Sequence, residues 1–464
     1  MKRNLAILFV GSLLILACNL LDIATFDDEI QGPEEFGNEE VLDQPEEDAE
    51  LAPPPDDLTE IEILEQDSGS LLLRDFKLPL PLYSAESAWN QKAVDARVLP
   101  ESEQQILRLY RVLLGDISSL EGYDEPAIVG WPYMDINYDE YSIPVFMAGT
   151  DEQKVTICAD EGELGWTHPK FGDPQLGGPM LLPGPTGWVR PAGPENTDAD
   201  AHLVLYDPES LAEWDLYYAI TAQSGECLSE GGGVIGDTIF AAGVVDRFDL
   251  SGPGANADGD YSARAHGTPL LAGLILPEDI EAGVIAHALA FAIPGPRNTS
   301  TDPYEPLNAD YFYPASTTET DFFSTDPLAL AAGQRVRLKP NLVDEEGQPI
   351  DESQLSPITR IFLEALRTYG AYLVDNAGGF SFYAEDVHTA SLDLSVDEVN
   401  RLIGAAPGSP LPENQTRWLT VMAHLGDELD AIPLAYGPWE EQAQPETATM
   451  AVSNFEVVEP ASIP

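Results

Sequence analysis

From Ala127 onward the apolar residues come in short runs, and glycine and proline break nearly every one. Ile143-Pro-Val-Phe-Met147 and Val155-Thr-Ile157 are such runs. Gly177-Gly-Pro179 and Pro183-Gly-Pro-Thr-Gly187 are turn chemistry between them. Runs this short cannot bury a helical stripe, but they suit strands. His202–Tyr206, Trp214–Thr221, Leu270–Leu276, His287–Ile293 and Arg335–Leu338 read as further strands. Helical spacing is confined to a few places. Glu101–Leu114 and Asp351–Tyr369 carry apolar stripes, and Gly370 stops the second. Glu278–Gly283 is one turn behind Pro277, and Ser395–Gly404 opens on a capping serine. Ala371–Asn376 reads as a strand, with Ser381–Tyr383 returning beside it as a hairpin. The pattern predicts a mainly β fold, a β-sandwich or jelly-roll-like body with two or three appended helices.

The N-terminus sets the compartment. Lys2 and Arg3 precede an apolar core, Leu5–Leu16, and Ala17 sits just before Cys18. That core is too short to span a bilayer comfortably. The segment resembles a bacterial lipoprotein signal peptide, which implies cleavage at 1–17, lipidation of Cys18 and attachment to the cell envelope outside the cytoplasm. An uncleaved anchor is the alternative. Residues 18–74 follow as an acidic tether: no Lys or Arg occurs between Asn4 and Leu73. Like charges and few buried apolar groups predict an extended, disordered spacer. The domain proper is expected over 75–440, with a flexible tail at 441–464.

The chain carries 81 acidic and 21 basic residues, a formal charge of −60. No basic patch is available to neutralise phosphates, which excludes nucleic acid as a partner. The same field disfavours a polyanionic glycan, although an arginine such as Arg190 or Arg360 could form a local cationic site. With Cys18 lipidated, Cys158 and Cys227 remain, and an oxidising compartment predicts a disulfide between them.

The chemistry concentrates at Asn196–Asp207. Asp198, Asp200 and His202 alternate, so in extended chain they share one side. Asp200 could orient His202 as an acid/base, Asp198 is a candidate metal ligand, or the acids only shape a turn. His287 heads a second apolar strand, and the two histidines would share a pocket at one sheet end. Asp375 and Asn376 close a third strand and either bind substrate or tie down Gly378-Gly379. Trp89 is a candidate for stacking on a sugar ring, and Tyr218 for assisting proton transfer. Asn256-Ala-Asp-Gly-Asp260 partly echoes a calcium loop but lacks its distal Glu. Ca2+ is therefore the only cofactor the acids suggest. Gly-x-Ser-x-Gly, His-Glu-x-x-His and Walker motifs do not occur in the chain.

Five blocks occur in order: Ser84–Asn90, the Asp200-Ala-His202 segment, Thr268–Ile275, Ile285–Phe291 and Ala365–Asn376. This series resembles a family of secreted bacterial and fungal proteins loosely placed with carbohydrate-active β-sandwich proteins. The resemblance covers roughly Ser84 to Tyr383. It implies a shared fold and a pocket around His202, His287 and Asp375, without an established reaction. The expectation is a surface lipoprotein acting on glycans, as hydrolase or lyase. The alternative is a non-catalytic glycan-binding or surface-interaction lipoprotein with structural calcium. A transporter's solute receptor fits poorly, since two α/β lobes are expected there.

Overall fold

The computed structural model describes residues 72–115, 132–148, 200, 202–217, 244–256, 262–299, 310–318, 322–413, 415–436 and 452–461. It adds the backbone of four strands lying between 154 and 242. All belong to the unit Ser68–Pro464. The expected signal peptide, most of the tether, Cys18, Cys227, Asp198 and Tyr218 lie outside the described residues.

Six strands form the main sheet. In spatial order they are β1 (Met134–Asn137), β13 (Phe380–Tyr383), β10 (Leu289–Ile293), β12 (Ala371–Asn376), β11 (Arg335–Leu338) and β16 (Phe455–Val458). The β1–β13 and β10–β12 pairs are parallel and the others antiparallel. A second sheet has the order β2 (Val145–Met147), β5 (Leu203–Asp207), β6 (Ala212–Tyr217) and β9 (Val244–Asp249), with β2–β5 parallel. The strands β3 (Lys154–Ala159), β4 (Pro179–Pro183), β7 (Ile220–Thr221) and β8 (Thr238–Ala242) pair in the order β4-β3-β8-β7. Strands β14 (Ala435–Tyr436) and β15 (Val452–Ser453) form a two-stranded ladder.

Five α-helices occur among the described residues: α1 (Ser102–Leu113), α2 (Pro277–Ala282), α3 (Pro357–Thr368), α4 (Val396–Leu402) and α5 (Arg417–Leu429). With parallel pairs and this many helices, the fold is mixed α/β rather than a β-sandwich or jelly roll. The physical reason lies in the connections. Parallel neighbours such as β10 and β12 need a crossover, and here it carries α3.

Alternation along the strands sorts the core into layers. Leu289, Phe291 and Ile293 face one way, with Leu373, Phe380 and Phe382, against the apolar stripes of α1, α3 and α5. Ala290, Ala292, Tyr372, Val374 and Tyr383 face the other way, against Val145, Val204 and Tyr206 of the second sheet. The order is therefore helices, main sheet, second sheet. Helix α3 begins later than its sequence pattern suggests. Pro357 occupies its first position and Ser356 caps it, while Glu352–Gln354 ahead of it forms a single 3-10 turn. Ser395 caps α4 as expected, in a box closed by Glu398.

Three expectations are corrected. Strands β12 and β13 do not pair as a hairpin, because β10 lies between them. Leu270–Leu276 is an irregular segment whose polar backbone groups are tied to side chains of β6. The residues beyond 441 end in β15 and β16, and β16 pairs along β11 from Arg335↔Val458 to Leu338↔Phe455. Phe455 and Val457 are wholly buried, which explains why the chain returns to the sheet.

Leu72 and Arg74 strap the start of the body to its far end, through backbone bonds of 2.8 Å to His388 and Thr389. The Arg74 guanidinium then bridges Glu278 and Glu385, at 2.6 and 2.7 Å, with almost no solvent contact. Its charge is fully compensated, which such a buried cation requires.

Candidate functional site

Glu213 and Asp215 lie two apart on β6, so both side chains leave the same face of the second sheet. That face looks into the layer between the sheets, and both residues are wholly buried. Asp246 stands directly opposite Asp215 on β9 and is equally buried. Its carboxylate accepts from the Asn256 amide at 2.8 Å and from the Arg247 backbone N–H at 2.7 Å. Tyr83, just before the block Ser84–Asn90, and the block Thr268–Ile275 complete the surroundings. Tyr83 OH donates to Glu213 Oε1. The N–H groups of Leu271 and Leu270 donate to Glu213 Oε2 and Asp215 Oδ2, at 3.1 and 2.7 Å.

Burial raises the Glu213 carboxyl to about 7, against the pull of the Tyr83 and Leu271 hydrogen bonds and the Arg264 charge. Asp215 is pushed up further, first by burial and then by the charge of Glu213. The two carboxyls are neighbours on one buried strand face, and their like charges favour holding a proton between them.

Arg264 supplies the positive charge. Its guanidinium is wholly buried, 4.8 Å from the centre of the Tyr383 ring. Nη1 donates to the carbonyls of Pro269 and Ala272 at 2.9 and 2.8 Å. Burial lowers its affinity for a proton, and the charges of Tyr383, Asp375 and Asp215 oppose that effect. An arginine remains a cation under these conditions. Its Nε and Nη2 have no hydrogen-bond partner, and neither do Asp215 Oδ1, His202 Nδ1, His266 Nε2 and Thr268 Oγ1. His266 is held down to about 4 by burial, with Nδ1 3.4 Å from the Leu373 carbonyl.

His202, at the mouth of β5, is 2% exposed. Its Nε2 lies 2.9 Å from the Ala263 carbonyl, so that nitrogen bears the hydrogen and Nδ1 keeps its lone pair. Burial lowers its pKa, and the opposing charge of Asp200 and the Ala263 bond only partly offset this. His202 is therefore neutral near pH 7. Asp375 reaches the same layer through an irregularity in β12. Phe291 pairs with Leu373 and the next residue, Ala292, with Asp375. This bulge re-aims Asp375, whose charge acts on both Arg264 and Tyr383.

The charge of Asp200 acts on His202 and Tyr383, and that of Asp375 on Tyr383 and Arg264. Asn376 follows at the strand end, half-buried, with its N–H on Asp375 Oδ1 at 3.0 Å. His287 is not part of this group. It sits before the start of β10, whereas Asp375 pairs near that strand's end, so the two histidines do not share a pocket. His287 Nε2 contacts Asp279 Oδ2 at 3.1 Å and Nδ1 contacts the Ala288 carbonyl at 3.0 Å. Both ring nitrogens face acceptors, the signature of an imidazolium. Burial opposes the charge, but Asp279 and the Ala288 carbonyl outweigh it and raise the pKa.

Trp89 also leaves the candidate site. It is 1% exposed, donates its indole N–H to the Gly254 carbonyl at 2.7 Å and meets Tyr372 edge to face at 5.2 Å. No face is left for a sugar. Among the described residues, no group of three or more His, Cys, Asp or Glu has the arrangement to hold a metal ion. Asp198 and 257–260 of the suggested calcium loop lie outside them, and Asn256 is committed to Asp246. Cys158 lies on β3, paired with Pro179 and Ala241, but its suggested partner Cys227 is outside the described residues.

Sequence reasoning missed Glu213, Asp246, Arg264, Tyr83 and Tyr383. One signal was available: Glu213-Trp-Asp215 puts two acids on one face of an otherwise apolar strand. Comparison with protein-family models, curated proteins and solved structures gives no match.

Proposed function

We propose that this is an exported, envelope-anchored lipoprotein that acts on glycans by proton transfer in the layer between its two sheets. One observation carries the reading: Glu213, Asp215, Arg264, His202, Asp375 and Tyr383 converge from separate segments into one buried cluster. Burying so many ionisable groups does little for stability, since apolar side chains of similar volume serve as well or better. Such clusters mark sites of proton chemistry. A carboxyl held at about 7 is matched to acid/base work at neutral pH. The lone pair of His202 Nδ1 is the base, Glu213 and Asp215 are the proton store, and Arg264 balances developing negative charge. Hydrolase and lyase chemistry both remain compatible with these groups. Cys18 is the proposed lipid anchor, and a Cys158–Cys227 disulfide is proposed with it.

A second reading is a non-catalytic glycan-binding lipoprotein. It is favoured by the way Glu213 and Asp215 spend their oxygens on Tyr83, Leu270 and Leu271, which ties two irregular segments to β6. The full chain and a His202→Ala variant should be screened on a glycan array, with reducing-sugar and unsaturated-product assays beside it. Turnover that His202→Ala abolishes supports catalysis. Binding without turnover, unchanged by that variant, refutes it and leaves the second reading.

A further inference from the structure

Tyr83 reaches the acid pair from a segment whose other side faces water. Asp75, Lys77, Pro79, Leu80 and Pro81 are exposed, whereas Leu78, Leu82 and Tyr83 turn inward and pack in the layer between the sheets. Residues 75–83 form neither helix nor strand, so the segment is held at points rather than by a ladder. At its start the Arg74 N–H donates to the Thr389 carbonyl at 2.8 Å, and the guanidinium holds Glu278 and Glu385. The Leu78 N–H donates to Glu278 Oε1 at 2.9 Å. At its end the Ser84 N–H donates to the Gly252 carbonyl at 2.8 Å, and the Asn90 amide to the Leu82 carbonyl at the same distance.

Tyr83 itself sits at a φ of +65°, a left-handed conformation that a bulky side chain adopts only when its surroundings impose it. Two contacts impose it here. The hydroxyl donates to Glu213, and the ring lies against the Gly254 backbone, where an added Cβ would meet it at 2.8 Å. We propose that Tyr83 is a sprung gate over the acid pair: when its hydroxyl leaves Glu213 the backbone relaxes, and the ring lifts out of the layer with residues 78–82. Arg74 and Ser84 are the hinges, and the Asn90–Leu82 bond breaks. The gate does not depend on the identity of the substrate, and it gives a wholly buried cluster its route to water.

The charges around the latch make the gate sensitive to pH. Glu213 and Asp215 on β6 and Arg264 face the Tyr83 hydroxyl; Asp246 on β9 acts on Asp215, and Asp375 and Tyr383 act on Arg264. Burial holds Glu213 at about 7 while the gate is shut, against an ordinary value of 4.5 that contact with water restores. The shut state thus keeps a proton that the open state loses. Closure is complete below about 4.5 and weakens as pH rises to about 7, and Asp215, pushed up further, carries the effect higher.

Hydrogen exchange of the full chain tests this at the Leu270 and Leu271 amides, which are bonded to the acid pair, with the amides of β10 as the reference for global opening. The Leu270–Leu271 amides should exchange faster than those of β10. After correction for the chemical exchange rate, their opening should grow by up to tenfold per pH unit between pH 5 and 7. Tyr83→Phe, which removes the latch and keeps the ring, should speed their exchange several-fold at pH 5 and leave β10 unchanged. Exchange in step with β10, a flat pH profile, or no effect of Tyr83→Phe would overturn the gate. If Tyr83→Phe does not fold, the wild-type comparison and its pH profile decide the matter. No glycan enters this measurement, so its failure leaves the glycan screen to be judged separately.

Discussion

Glu213→Gln isolates the acid pair. Glutamine removes the titrating carboxyl at nearly the same size: its one carbonyl oxygen can keep the bond from the Leu271 N–H, and its NH2 then donates to the Tyr83 hydroxyl oxygen. The wild-type carboxyl has an ordinary value of 4.5 and is raised to about 7 by burial. Between these values the folded protein holds a proton that the unfolded chain has lost. Its stability therefore falls as pH rises through this window and levels off above it. Each pH unit between the two values is worth ~1.4 kcal/mol, so the penalty at pH 8 reaches about 3 kcal/mol. The variant lacks this penalty. Urea denaturation of both proteins from pH 4.5 to 8 should give nearly equal stabilities at the acid end. At pH 8 the variant should be the more stable by about 2–3 kcal/mol. Parallel profiles would refute the reasoning, because Glu213 would then titrate alike in both states.

The other predictions concern separate parts of the molecule. Arg74→Met leaves Glu385 and Glu278 buried without their cation, and thermal or urea melting should show a loss of about 3–5 kcal/mol; a loss below about 1 kcal/mol would mean that the strap is not closed in solution. His287 has its pKa raised by Asp279, so its contribution is complete below about 6.5, its ordinary value, and is lost as pH rises through the higher folded value. Proton NMR titration should report that higher value, and Asp279→Asn should lower it. Trp89→Ala should cost about 3–5 kcal/mol as a core cavity, whereas Trp89→Phe should leave glycan binding intact; selective loss of binding in the phenylalanine variant would restore a stacking role. Gly333→Ala would set a Cβ 1.6 Å from the Phe312 carbonyl oxygen at a φ of +72°, so the variant should express poorly or melt far below the parent.

Local chemistry made several elements readable in advance. Ser395 and Glu398 cap α4, Pro277 opens α2, and the stripe Ile358, Phe362, Ala365, Leu366 forms α3 where its spacing points. Strand β5 follows directly from the apolar run after His202. Helix α5 went unread, although Trp418, Val421, Met422, Leu425 and Leu429 recur at helical spacing behind the cap Thr416.

What the sequence determined by itself is several of the elements and the strong negative charge, because capping, periodicity and composition act over a few residues. Pairing is different. Nothing near Phe380–Tyr383 says that it joins β10 and β1 rather than β12, because that choice is made by burial of Phe380 and Phe382 beneath the helices. The return of Phe455–Val458 to the sheet edge is decided in the same way. The site is the clearest case. Tyr83, Glu213, Asp246, Arg264 and Tyr383 stand in separate segments, and only the stacking of two sheets brings their side chains into one layer. Burial there raises the acids and lowers the proton affinity of the arginine, and a one-dimensional pattern carries no record of burial.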